Sequence, residues 1–227
     1  MSRPPSTFCA QVRAALLGGF LAVGGCVLPD PDDLVLGAPF RPTNVQVETR
    51  RLNPLLRRVL VLPLTSEVDS AAAVDARAEL ESTLRTSLKQ TQRFEVVWLS
   101  PRELAEATGR SDWSALAELP ADFFSRLQHQ SGCDAVMFVR LTRYESYPPL
   151  AVGWHLKLVG CPTPQVLWEL DEVFDAREAS VVNAARRFQQ SARTPGYRTG
   201  DSRIVLSSPR RFAAYAAAAT FATLPAQ

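Results

Sequence analysis

The sequence predicts an α/β (α+β) domain, a mixed sheet of about five strands with helices packed on it. Three observations predict it. The short apolar run "RRVLVLPL" (Arg57–Leu64) is followed by a segment of helical period and then by a second apolar run, "FEVVWLS". That is a β-α-β order. Three longer segments, "CDAVMFVRLTRYES", "AVGWHLKLVG" and "QVLWELDEVFDA", are separated only by the turn-prone "YPPL" and "CPTP". They read as a three-stranded antiparallel meander. Beyond it, residues 177–190 and 208–224 close the chain with helices.

Ahead of this domain lies "RAALLGGFLAVGGC", Arg13 to Cys26. The twelve uncharged residues Ala14–Gly25 make roughly 18 Å of helix at ~1.5 Å per residue. A membrane span needs ~20 apolar residues, a signal-peptide core roughly 7–15. Arg3 and Arg13 supply a positive flank with no acid before Asp30, and Gly24 and Gly25 supply slim side chains at a cleavage point. "VGGC", preceded by Leu21 and Ala22, resembles the lipobox of bacterial lipoproteins. The resemblance implies that residues 1–25 are removed, that Cys26 is the lipidation site, and that the mature chain starts there. Two acyl chains on sulfur and a further one on the new amino terminus anchor stably where a single chain does not. Val27 stands where an inner-membrane retention signal has aspartate, which implies an outer-membrane, periplasm-facing protein.

Residues 26–43 mix prolines with acids and show no sustained period, as a tether does. Residues 44–227 are then one periplasmic α/β domain, long enough to bury an adequate core. A hydrophobic content of 46% and a charged content of 21% are those of a globular chain. A formal net charge of +2, with arginines scattered in pairs and no basic stripe, argues against a nucleic-acid partner.

The elements follow in order. "NVQVETR" alternates as a short edge strand does, and Arg57–Leu64 is a central strand stopped by Pro63. Over 69–90, Leu80, Leu84 and Leu88 recur every four residues, giving an amphipathic helix. "SPRE" opens the next helix, with Ser100 as N-cap, Pro101 at the first position and Glu103 closing a capping box. Ala121–Gln130 is a third helix, stopped by Gly132. The last helix opens with Ser208 and Pro209 and carries no charge after Arg211. A helix apolar most of the way round is buried by something. Docking on the domain's own sheet is one reading; the other places Phe212, Tyr215 and Phe221 at an interface with a partner subunit.

Cys9 leaves with the signal and Cys26 is lipidated, so Cys133 and Cys161 remain as a pair in an oxidising compartment. A hairpin register centred on Tyr147 sets them opposite one another as a disulfide candidate, whereas a slip of one or two residues forbids the bond. The alternative is two small buried thiols.

The sequence carries no recognisable catalytic, metal or cofactor site. His129 and His155 have no ligand-type neighbours at metal spacing. "LPLTSEVDS" lacks both phosphate-binding patterns, and no serine sits in a nucleophile elbow. In "WELDEVFDA", Glu169, Asp171 and Asp175 share one strand face, and paired carboxylates can hydrolyse glycosidic bonds. Acid alternating with apolar is also what a half-exposed strand shows, with His155 and Lys157 as cross-strand partners. Trp154 and Trp168 are candidate ligand-binding aromatics or core residues.

With these elements placed, the chain is similar over residues ~57–175 to a group of envelope lipoproteins. The group includes the curli-secretion lipoprotein, the Pel polysaccharide-export lipoprotein, the penicillin-binding-protein activator lipoproteins and the N-terminal domain of TolB. The marks are Pro63, Trp98-Leu99-Ser100-Pro101 and Cys133-Asp134-Ala135. The resemblance implies a non-catalytic docking or ring-forming module at the outer membrane, with an envelope complex or its own copies as partner. The chain departs from the curli relative in lacking paired long amphipathic hairpins for a barrel. A periplasmic small-ligand or glycan binder, and a carboxylate-dependent glycan hydrolase, are the alternatives.

Overall fold

The computed structural model describes residues 37–191 and 202–227. The signal, the lipobox and most of the tether lie outside them. The strands are β1 (Val45–Val47), β2 (Arg58–Val61), β3 (Thr65–Ser66), β4 (Glu95–Trp98), β5 (Ala135–Glu145), β6 (Ala151–Gly160) and β7 (Val166–Asp175). The helices are α1 (Ala71–Gln90), α2 (Pro101–Thr108), α3 (Phe123–Ser131), α4 (Ala179–Ser191) and α5 (Pro209–Phe221), with a 3₁₀ turn at Ser202–Leu206 before α5. One mixed sheet runs β1-β7-β6-β5-β2-β4, with β3 paired to β5. The β5-β6-β7 meander is antiparallel; β2 is parallel to both β4 and β5.

The sheet has seven strands rather than about five. One addition is β1, the expected edge strand, antiparallel to β7. The other is β3, whose two residues continue along β5 where β2 leaves off. Pro63, which has no N–H to give the ladder, separates the two.

The two faces of the sheet are packed differently. On one, Val59, Val61, Met137, Trp154, Leu156, Trp168, Leu170 and Phe174 meet α1, α4 and α5 in a single core. Leu80, Leu84 and Leu88 of α1 are at most 2% exposed, and burying each contributes about 1.5–3 kcal/mol. On the other, α2 and α3 cover the sheet only around Leu60, Leu62, Val136 and Phe138, with Leu104, Trp113 and Phe123. The α2 start is as expected: Ser100 Oγ accepts from the Glu103 N–H and the Glu103 carboxylate accepts from the Ser100 N–H at 2.8 Å. Gly132 ends α3 with φ +64°, a left-handed conformation glycine adopts without cost.

The tether expectation needs one correction. Residues 37–43 are already part of the domain. The Phe40 N–H donates to the Ser180 carbonyl at 2.9 Å, and its ring meets Phe174 edge-on at 5.5 Å. The Thr43 and Asn44 N–H groups both donate to Glu172. An aromatic ring has more to gain from the core than from solvent, so the chain docks before residue 44.

Candidate functional site

The acids of "WELDEVFDA" are the first test of a site. Strand alternation buries Trp168, Leu170 and Phe174 completely and turns Glu169 to the opposite face. There Glu169 Oε1 meets His155 Nε2 at 2.7 Å, and Oε2 meets Lys157 Nζ at 3.2 Å. His155 Nδ1 lies 3.0 Å from Arg140 Nη2, and Arg140 also pairs with Glu67. A guanidinium only donates, so Nδ1 accepts and Nε2 carries the hydrogen given to Glu169. Both ring nitrogens are thereby engaged. Two cations and two carboxylates balance around it.

Partial burial pushes the Glu169 carboxyl up, but hydrogen bonds from His155 and Lys157 outweigh it and hold the group below the usual carboxylate range. A glycosidase acid needs the opposite shift. Asp175 is committed elsewhere, to Arg177 at 3.0 Å and Arg143 at 3.4 Å. Asp171 is exposed, facing His155 across the ladder. The three acids share a face without forming a working pair; the cross-strand partners expected for Glu169 are the ones it has.

The other residues singled out by sequence fall inside the core. Trp154 and Trp168 are 0% exposed, and the Trp168 indole donates to Thr223 Oγ1 at 3.1 Å. Their strand positions turn both toward the helical layer, where they pack in the core. Phe212, Tyr215 and Phe221 are at most 3% exposed. They are therefore packing residues of this chain, not an interface surface, because α5 is enclosed by α1, α4 and the sheet. His129 lies in a shallow depression with Glu106, Asp122 and Arg126. Among the described residues no cluster of three His, Cys, Asp or Glu could hold a metal.

Cys133 and Cys161 do come together. The ladder runs Ala135↔Gly160, one residue off the register that sets the cysteines directly opposite. They meet nonetheless, because both lie just past the strand ends, where the pleat no longer dictates side-chain direction. Both are free thiols, and the Cys161 N–H donates to the carbonyl of Asp134, the neighbour of Cys133, at 2.8 Å.

Three features had no clear sequence signal. Asp134, one of the marks of the resemblance, has a structural role: its carboxylate accepts from the Arg57 and Arg58 N–H groups at 2.8 and 2.9 Å, fixing the start of β2 against β5. A groove of about 240 Å³ lies along α1 and α5, lined by Ser82, Thr86, Ser87, Ala214 and Ala218. At the meander tip, Glu145 and Asp175 share Arg143 and Arg177 beneath the 82% exposed Tyr147.

No protein-family model matches the chain, and no curated protein does. Among solved structures it is similar to the PelC dodecamer from Paraburkholderia phytofirmans, at 12% identity and a TM-score of 0.44, over 81% of this chain and 96% of that one. It is also similar to lipoprotein GNA1162 from Neisseria meningitidis, at 17% identity and 0.37, over 52% and 79%. The LpoB C-terminal domain from Escherichia coli aligns at 18% identity and 0.35, over 52% and 82%.

Proposed function

We propose that this chain is an outer-membrane lipoprotein, acylated at Cys26, whose periplasmic domain is a non-catalytic docking module of an envelope assembly. The observation that carries the reading is the lipobox-like "VGGC" closing a short, arginine-flanked apolar run. The docked segment from Gly37 supports it physically. Only ten residues, Val27 to Leu36, separate Cys26 from the domain, and fully extended they reach at most ~35 Å. Two or more acyl chains at Cys26 hold the domain within that distance of the bilayer. The ion-paired state of Glu169 supports a role without acid–base chemistry.

Fractionation of cells producing the full chain tests the reading. The wild type partitions with outer membranes and is released by detergent; Cys26→Ala loses that partition. Equal membrane retention of both proteins contradicts it. Light scattering of the extracted wild type is expected to give one defined homo-oligomer, and a monodisperse monomer contradicts self-assembly.

A further inference from the structure

Cys133 and Cys161 stand at one end of the β5–β6 pair. Cys133 lies between the α3 cap Gly132 and β5; Cys161 directly follows β6. Beyond the last ladder pair, Ala135↔Gly160, the Cys161 N–H donates to the Asp134 carbonyl at 2.8 Å. The backbone on each side is fixed. The Asp134 N–H donates to the Arg58 carbonyl at 2.8 Å, its carboxylate accepts from Arg57 and Arg58, and Arg58 Nη1 donates to the Ser131 carbonyl at 3.1 Å. The Gly160 N–H closes the following turn on the Gln165 carbonyl at 2.9 Å. Two thiols held this way meet at a high effective concentration. Cys133 is 1% exposed, whereas Cys161 is partly open to solvent.

We propose that Cys133 and Cys161 form a disulfide that staples the β6–β7 turn to the α3–β5 junction, closing the hairpin that carries Tyr147. The oxidant is the disulfide of a small thiol compound or of an oxidoreductase, which the envelope compartment of the reading above supplies. Cys161, the accessible sulfur, enters: it displaces one thiolate of the oxidant and forms a mixed disulfide. Cys133 then attacks Cys161, expels the second oxidant thiolate and forms the intramolecular S–S bond. One S–S bond breaks and one forms. The two cysteine protons pass to the oxidant's two thiolates, and the oxidant leaves reduced by two electrons.

The bond closes a loop between cysteines 28 positions apart in the chain. Restricting the unfolded chain over such a loop raises the melting temperature of a domain this size by roughly 10 °C. The test uses the purified full chain equilibrated with oxidised glutathione or with dithiothreitol. Expected are a Cys133–Cys161 linked peptide by mass spectrometry in the oxidised sample only, and a melting temperature that falls by roughly that amount on reduction. Cys161→Ser melts at one temperature in both buffers. Recovery of the two cysteines as separate glutathionylated peptides, or linked instead to Cys9 or Cys26, overturns the staple. A second arm traps free thiols in intact cells with an alkylating agent. Linked peptide in that sample supports the proposal. Free thiols in cells, beside a bond that forms with glutathione, overturn it through the compartment and leave the geometry standing.

Discussion

The face of the sheet under α1 and α5 and the opposite face at β6 and β7 are made by the same strands with different chemistry. On the first, Trp154, Trp168, Phe174, Phe212 and Phe221 form a continuous apolar layer, each at most 2% exposed. On the second, past the short α2–α3 cover, Arg140, His155, Lys157 and Glu169 stand where the apolar cover ends. Period-2 alternation sends both sets out of the same strands. The first face holds the domain by hydrophobic burial over a large area. The second satisfies itself: its charges pair with one another and need no helix above them.

The largest expected effect is on the helical face. Trp168→Ala removes a fully buried indole and its bond to Thr223, and should cost about 3–5 kcal/mol in urea unfolding. A cost below that of any polar-face variant would break the comparison. Next comes Gly153→Ala, at a tight point of the polar side. An added Cβ there would meet Thr142 Oγ1 at 2.5 Å and the Arg143 backbone nitrogen at 3.0 Å. The ladder shifts register beside it, between Leu141 and Arg143. The backbone has to give, and we expect a loss of about 1–3 kcal/mol.

Two smaller effects sharpen the contrast. Ser100→Ala unmakes the capping box of α2, the helix that covers the other half of the second face, and should cost about 1 kcal/mol. Glu169→Gln keeps an acceptor for His155 but removes the charge, and should cost about 0.5–1 kcal/mol at pH 7. Its carboxyl is held below the ordinary value of 4.5. The contribution is therefore present above that value and is lost as pH falls through the folded-state pKa. The difference between wild type and Glu169→Gln should be full at pH 7 and shrink as the pH falls below 4.5 toward the acid end. A difference that persists at the acid end contradicts the assignment.

Much of the fold was legible because its signals are local. The Leu80, Leu84 and Leu88 period, the Ser100–Glu103 box and Gly132 each act within one or two turns of chain. The partners of Glu169 were legible too, because "YPPL" and "CPTP" fix which strands are neighbours. What could not be read is what distance brings together. β3 is two residues long and owes its existence to pairing with β5. Arg140 finds Glu67 only through that pairing, across 73 positions. Phe40 looks like one more residue of a proline-rich tether until Phe174 and Ser180 give it a seat. The tryptophans and α5 were ambiguous for a simpler reason: an aromatic or apolar surface reads the same whether its cover is the chain itself or something else.

On the proposed reading, this domain works at a membrane to which Cys26 holds it. The most direct measurement is the intact mass of the protein extracted in detergent from its own cells. A chain beginning at Cys26 and carrying three acyl groups is the predicted result. A chain that retains residues 1–25 with an unmodified Cys26 would contradict the account.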